Sequence, residues 1–384
     1  MSAPDVVVIG AGVVGASCAL ALTNAGFKVQ IIDRGPVSSG TTGAGEGNIL
    51  VSDKEIVPEI ALAKRSRDLW FEINTDIGGG FELEPKGGIV VSRSAAGIET
   101  LKKLVKHQDE NGISTQILNQ KELLQVEPNI SKEIEFAVLY PQDAQCQPML
   151  AAAQMIRAVK KRGGRFNPGE NVIAIKSTDG KVNTVITDKG SYPVTAVVNA
   201  TGTWAGEIAR LAGSDLPIMP RRGFILVTNA APKLVHHKVY DAEYVANVAS
   251  GDAQLQSSAV IEGTESGTIL IGSSRERVGF NNEFSVPILR QLARQAITIF
   301  PILESLQLLR AYRGFRPYAP DHLPVIGEDS NIKGLFHAAG HEGAGVGLAP
   351  ASGQLITEML LGKPTFMDAT AFSPARFQKV AQFV

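Results

Sequence analysis

The chain has 384 residues, with 37 Lys plus Arg against 38 Asp plus Glu and 44% hydrophobic residues. At about 150 residues per domain this predicts two or three units with a sizeable core, and a net charge of -1 leaves no global basic field for nucleic acid or anionic lipid. The two cysteines, Cys18 and Cys146, are far apart, which excludes a disulfide scaffold or a cysteine-based metal site and fits a reducing compartment.

Residues 6 to 27 carry no charged side chain, a length that can span a bilayer. The preceding Met1 to Asp5 lack the Lys or Arg of a secretory signal, and glycines puncture the run. The expected location is cytoplasmic, with peripheral association at the inner face of the membrane left open. Val6 to Ile9 reads as a short, buried, β-branched parallel strand. A turn follows at once, Gly10-Ala11-Gly12-Val13-Val14-Gly15, then an Ala/Leu-rich helix from Ala16 to Ala25 ending at Gly26, and a second strand, Val29 to Ile32. Asp33 closes that strand about 20 residues beyond the glycines, where a carboxylate can hold a ribose diol. The G-x-G-x-x-G spacing allows a tight turn, close backbone approach to a pyrophosphate and close helix packing, with the positive helix end facing the phosphates. Together these features predict dinucleotide binding, with NAD and FAD both open at this point. Arg34 and the small, hydroxyl-rich strip Ser38 to Asn48 follow, a surface against which a flat cofactor can lie.

A long helix is expected over Pro58 to Asn74, a strand over Gly88 to Ser92, and a helix with Ile98, Leu101, Leu104 and Val105 on one face. Asn171 to Ile175 and Ala196 to Asn199 read as strands, the latter leading into the small-residue turn Ala200-Thr201-Gly202-Thr203-Trp204. Phe224 to Thr228, Ser258 to Glu262 and Thr268 to Gly272 are further strands, before a helix from Pro287 to Phe300 with Ser285 as cap. The strand Gly334 to Gly340 ends in His341-Glu342-Gly343-Ala344-Gly345-Val346-Gly347-Leu348, ahead of a helix from about Ala351 to Leu361. His236-His237 is no metal pair, since neighbouring strand residues point apart and no third ligand is spaced for a site.

The predicted class is α/β. A discontinuous Rossmann-type cofactor domain takes residues 1–48, 140–215 and 311–384, and an α+β substrate domain with a mainly antiparallel sheet takes 49–139 and 216–310.

In this order, the glycine turn with Asp33, Gly40-Thr41-Thr42-Gly43, Ala200 to Trp204, Gly314-Phe315-Arg316-Pro317 with Asp321 and Pro324 to Gly327, and Gly340-His341 through Pro350 resemble the FAD-dependent D-amino-acid oxidase/glycine oxidase superfamily over nearly the whole chain. The stretch TTGAGEGNILVSD, Thr41 to Asp53, is similar to the FAD subunits of bacterial opine, hydroxyproline and proline dehydrogenases and of hydrogen cyanide synthase. The resemblance implies noncovalent FAD, because no cysteine lies near the C-terminal motif and the first histidine is His107. It implies that Gly10, Ala11, Gly12, Val13, Val14 and Gly15 take the pyrophosphate region, Asp33 the ribose, and Arg34, Thr41 and Thr42 the phosphates or neighbouring loop. Gly45, Gly47, Asn48, Val172 (by backbone, to adenine), Ala200, Thr201, Gly202, Trp204, Gly343, Gly345, Val346, Gly347 and Leu348 complete the cofactor contacts.

Arg316 stands where similar enzymes clamp a substrate carboxylate, a role suited to a planar two-donor guanidinium; a structural ion pair is the alternative, and Arg313 competes for the role. Asn48 is expected beside the substrate, Tyr240 and Tyr244 lie in the region where similar enzymes place an active-site tyrosine, with simple packing as the alternative, and His341 either tunes charge at the flavin or makes a structural hydrogen bond. The implied activity is oxidation of the C–N bond of a small amino acid or secondary amine, as a dehydrogenase; a peroxide-forming oxidase and an electron-relay subunit are the alternatives. Expected partners are the small substrate and an electron-accepting subunit or quinone, with homo- or hetero-oligomers open and no nucleic acid.

Overall fold

The structure is a computed structural model that describes residues 4–134, 136–242 and 254–377. The strand Val6–Ile9 is wholly buried at the centre of a six-stranded sheet. It pairs in parallel with Val29–Asp33 on one side and Ala196–Asn199 on the other. Arg165–Pro168 extends one edge in parallel; Leu335–Ala339 and then the antiparallel Val325–Glu328 extend the other. Burial on both faces is why these runs are β-branched without alternation. The helices Val13–Asn24, Pro148–Lys161 and Gly345–Leu360 pack together with Val57–Ile77 around the largest apolar cluster. The first and last of these meet closely because a Cβ at Gly353 would stand 2.8 Å from the Ser17 carbonyl oxygen.

A second, eight-stranded sheet is mainly antiparallel, in the spatial order Leu308–Tyr318, Met219–Thr228, Ile269–Arg275, Gln256–Gly263, Lys238–Asp241, Gly88–Ser92, Phe136–Tyr140 and Gln116–Leu118. Its one parallel pairing joins Lys238–Asp241 to Gly88–Ser92. The helix Val286–Ile299 covers one face with its own apolar cluster. A three-stranded sheet over Val172–Pro193 and a short pair, Asn48–Ile49 with Ala144–Gln145, complete the fold. The boundary expected at 310/311 falls inside the strand Leu308–Tyr318, so Gly314 to Pro317 belong to the antiparallel sheet.

Two helices begin at least three residues earlier than predicted. The first starts at Val13 because the turn needs only Gly10 to Gly12, with Gly12 as an extended N-cap. The last starts at Gly345, and Pro350 lies inside it. Proline there cannot donate to the Val346 carbonyl four residues back, and its ring pushes that carbonyl outward. The gap is closed by another helix: Trp70 donates Nε1–H to Val346 O at 3.0 Å, and Ala351 N–H donates to Ser66 Oγ at 3.2 Å. Ser66 and Trp70 are one turn apart on Val57–Ile77, and so face the same defect.

Candidate active site

Loops at the carboxyl ends of the parallel strands enclose a cavity of about 550 Å³, the place where open α/β sheets bind ligands. One end is built by the first βα turn. Gly10 has φ +111°, and a Cβ there would lie 2.4 Å from the Ala200 carbonyl oxygen, so glycine alone lets these two chain segments run side by side. Gly12, Val13 and Val14 line the cavity. Thr42 Oγ1, also in the wall, accepts the Val13 N–H at 3.0 Å, while Thr41 Oγ1 donates to the Phe315 carbonyl at 2.7 Å. Asp33 accepts the N–H of Ala11 and of Gly35, each at 2.7 Å. These bonds orient the carboxylate at the wall and leave lone pairs for a diol. Arg34 lies 4.5 Å over the Trp204 ring, which stacks on Phe280 with centroids 5.6 Å apart. Val172, Ala200, Thr201 and Gly202 line the same end.

Ala11, Gly15, Gly47, Gly347 and Leu348 do not line the cavity. Ala11 is buried behind Asp33. A Cβ on Gly15 would fall 2.0 Å from the Gly10 carbonyl oxygen and one on Gly47 1.8 Å from that of Cys146, so both glycines serve chain packing. Gly347 backs onto Asn48 and Ile49, and Leu348 is core.

Gly343, Gly345 and Val346 bring the entrance of the last helix to the cavity. His341 lines it as well; its Nε2 is 2.9 Å from Ser352 Oγ, whose hydroxyl donates to the Leu348 carbonyl. The imidazole therefore donates from Nε2, and burial pushes its pKa down to about 3. It is neutral at physiological pH, which favours the structural hydrogen bond over charge tuning. Glu342, which the sequence reading did not single out, also lines the cavity. It has φ +46° and carries an ion pair to the buried Arg221 at 3.5 Å and a contact to His322 at 3.0 Å.

The other end lies over the antiparallel sheet. Arg316 is in the wall and donates from Nη1 to the Ser274 carbonyl at 2.8 Å. Its guanidinium lies over Gly223, where a Cβ would be 2.0 Å from Nη1. Arg313, an odd number of strand positions away, points to the opposite face and lies 5.2 Å over Phe284. Glu46, Gly45 and Asn48 line the cavity beside Arg316, with Tyr312 donating to the Gly45 carbonyl at 3.1 Å. Tyr240 instead points into the core and donates to Ser52 Oγ at 2.6 Å; Tyr244 lies outside the described residues. His237 Nδ1 meets Glu127 at 2.9 Å, and among the described residues no three His, Cys, Asp or Glu side chains come together as metal ligands. Nor is any helix among them long and apolar enough to cross a membrane.

A Rossmann-like sheet whose glycine turn, Asp33 carboxylate and C-terminal helix entrance share one cavity defines a dinucleotide-binding fold. The DAO family, FAD dependent oxidoreductase, matches residues 5–359, and the chain belongs to it. The residues fit FAD: the Gly10 to Val14 cradle admits no side chain at Gly10, and Asp33 and Val346 line the same cavity. The chain is 26% identical to hydrogen cyanide synthase subunit HcnC of Pseudomonas aeruginosa, over 97% of this chain and 96% of that one. It is 27% identical to the glycine oxidase of Geobacillus kaustophilus, over 97% of each. The crystal structure of that oxidase superposes with a TM-score of 0.88 over 97% of this chain and 98% of the other. L-proline dehydrogenase from P. horikoshii superposes with a TM-score of 0.89 at 25% identity over 99% of each chain.

Proposed function

We propose that this FAD-dependent oxidoreductase oxidises the C–N bond of a small amino acid or secondary amine, working as a dehydrogenase, and that FAD is held noncovalently. The observation that carries this is Arg316, which reaches the cavity over Gly223 and offers a fork of donors for a carboxylate. Bound FAD supplies a two-electron acceptor for the hydride on the substrate carbon. The chain supplies the rest: Gly10 to Val14 and Asp33 seat the dinucleotide, neutral His341 and Ser352 brace the Gly343 to Val346 loop, and Arg316 aims the substrate carbon by holding its carboxylate. Positioning of this kind accounts for a large part of a rate enhancement. The relatives named above, a glycine oxidase and a proline dehydrogenase, support an amine donor. In this reading residues 49–139 and 216–310, with the strand that bears Arg316, form the substrate-binding unit, and electrons pass to a partner subunit or quinone. That one relative is named as a subunit favours a heteromeric complex, with an electron-relay role as the second reading.

The test is an anaerobic visible titration of the holoprotein with glycine, sarcosine, L- and D-proline, D-hydroxyproline, D-alanine and an opine, followed by exposure to air. Bleaching by one or more compounds is expected, with slow recovery in air for a dehydrogenase; fast recovery identifies an oxidase. A flavin that no compound bleaches overturns the amine-oxidising reading in favour of the relay.

A further inference from the structure

We propose that Glu46 receives the substrate amine: with the substrate carboxylate on Arg316, the Glu46 carboxylate accepts an N–H of the ammonium and then its proton. This deepens the amine-oxidising reading and rests on it. Glu46 is the one charged residue in the small-residue strip Ser38 to Asn48. It is 8% exposed yet lines the cavity. Oε2 accepts from Asn48 Nδ2 at 3.3 Å, whereas the buried Oε1 has no hydrogen-bond donor among the described residues and stands 3.5 Å from Lys238 Nζ. Lys238 lies nearer to Glu262, at 2.8 Å, and Glu262 also accepts the Gly47 N–H at 3.1 Å.

Glu46 and Arg316 lie over the same face of the sheet. A Cβ at Gly272 would be 2.8 Å from Glu46 Oε1 and 2.9 Å from Ile225 Cδ1, while Gly223, two residues before Ile225, carries the Arg316 guanidinium. Opposite charges thus meet across one cavity, the pattern that a zwitterionic amino acid complements and an uncharged or hydroxy analogue does not.

The groups facing Glu46 are Asn48 on its own segment, Lys238, Glu262, and Arg316 and Tyr312 from the Leu308–Tyr318 strand. Burial pushes the Glu46 carboxyl above the usual range, with Glu262 adding to the rise and Lys238, Arg316 and the Asn48 bond opposing it. A base raised in this way is better matched to an ammonium proton. In the transfer the N–H bond breaks with its electron pair left on nitrogen, and an O–H bond forms on the Glu46 carboxylate. That lone pair is then available to form the C=N bond while the Cα–H bond breaks with its electron pair, which bound FAD would accept.

The experiment uses holoprotein carrying Glu46→Gln and pairs of probes that differ only at the amine. Sarcosine is paired with methoxyacetate, and proline with tetrahydrofuran-2-carboxylate, each titrated anaerobically by the flavin spectrum. Loss of a charge-assisted hydrogen bond is expected to weaken the amine probes about tenfold to a hundredfold and leave the ether isosteres unchanged. The rate of flavin reduction in the parent should rise with pH through an acid limb that the variant lacks. If Glu46→Gln releases its flavin, Glu46→Asp is measured in the same way and should keep the acid limb. Equal weakening of both members of a pair, weakening of neither, or an acid limb retained by Glu46→Gln overturns the proposal. If Arg316→Ala weakens both members while Glu46→Gln spares both, the amine-oxidising reading stands and the role of Glu46 falls. If the parent binds no probe at all, both fall.

Discussion

Replacing Trp70 by Phe removes the Nε1–H that Val346 O accepts, a carbonyl to which Pro350, four residues on, has no N–H to give. A buried carbonyl left without a partner costs about 1–3 kcal/mol, and the smaller ring in a fully buried site beside Phe81 adds about 1 kcal/mol more. For a chain of 384 residues the unfolding entropy is roughly 0.8 kcal/mol per kelvin, so a loss of about 2–4 kcal/mol lowers Tm by about 3–5 °C. The informative measurement is a double-mutant cycle. Pro350→Ala restores an N–H that can reach Val346 O along the helix, so Trp70→Phe should cost about 1–2 kcal/mol less in the Pro350→Ala background than in the parent. Urea midpoints followed by circular dichroism give the four stabilities, and the temperature of flavin release reports whether the helix entrance has moved. If the two substitutions add to within about 0.5 kcal/mol, Trp70 is not filling the gap left by proline, and the account of this helix is wrong.

Gly223→Ala would set a Cβ 2.0 Å from Arg316 Nη1 and 2.4 Å from the Ser274 carbonyl oxygen. It should raise KM for carboxylate substrates roughly tenfold or more at unchanged flavin content; steady-state kinetics with an unaltered KM would refute the placement of Arg316. Gly10→Ala meets backbone at 2.4 Å in a left-handed conformation and should yield protein without FAD, read from the ratio of flavin to protein absorbance. Burial raises the Asp143 carboxyl from 3.8 to about 7 and lowers His341 from 6.5 to about 3. The folded state thus holds the Asp143 proton that the unfolded state has released, so this group's contribution to stability falls as pH rises from about 4 to 7. His341 acts in the opposite sense: its contribution falls as pH drops below 6.5, because only the unfolded chain takes up the proton. From pH 4.5 to 6.5 the two oppose each other, so relative to the parent Asp143→Asn should gain, and His341→Gln lose, about 1.4 kcal/mol per pH unit. Urea unfolding at several pH values checks this; slopes of the same sign in both variants would contradict it.

The elements that could be read from the chain are those set by local patterning. Val6–Ile9, Gly88–Ser92 and Ala196–Asn199 lie where their apolar runs and flanking small residues put them. Asp33 likewise stands at the cavity wall at the spacing expected from the glycine turn. What escaped depends on partners distant in sequence. The start of the last helix was hidden because glycines and Pro350 are poor helix formers, and the repair comes from Trp70 on another helix. Tyr240 was expected in the neighbourhood of the substrate, but its direction is set by Ser52 in the core. Glu46 was visible as a charge among small residues, yet its surroundings come from Lys238 and Glu262 on separate strands. The Gly314 to Pro317 motif singles out Arg316 by resemblance, and alternation along Leu308–Tyr318 turns Arg313 to the other face.

The central strand Val6–Ile9 has one neighbour that is synthesised at once and another, Ala196–Asn199, that is synthesised almost two hundred residues later. At about 5–20 residues per second the nascent chain carries an apolar strand with one open hydrogen-bonding edge for about 10 to 40 s, an invitation to misassociation. Gly343 to Val346, the far wall of the cavity, leave the ribosome later still. Flavin loading is therefore a finishing event, and cells making this protein faster than they supply FAD should accumulate folded but colourless chains whose yield of holoprotein improves with slower synthesis.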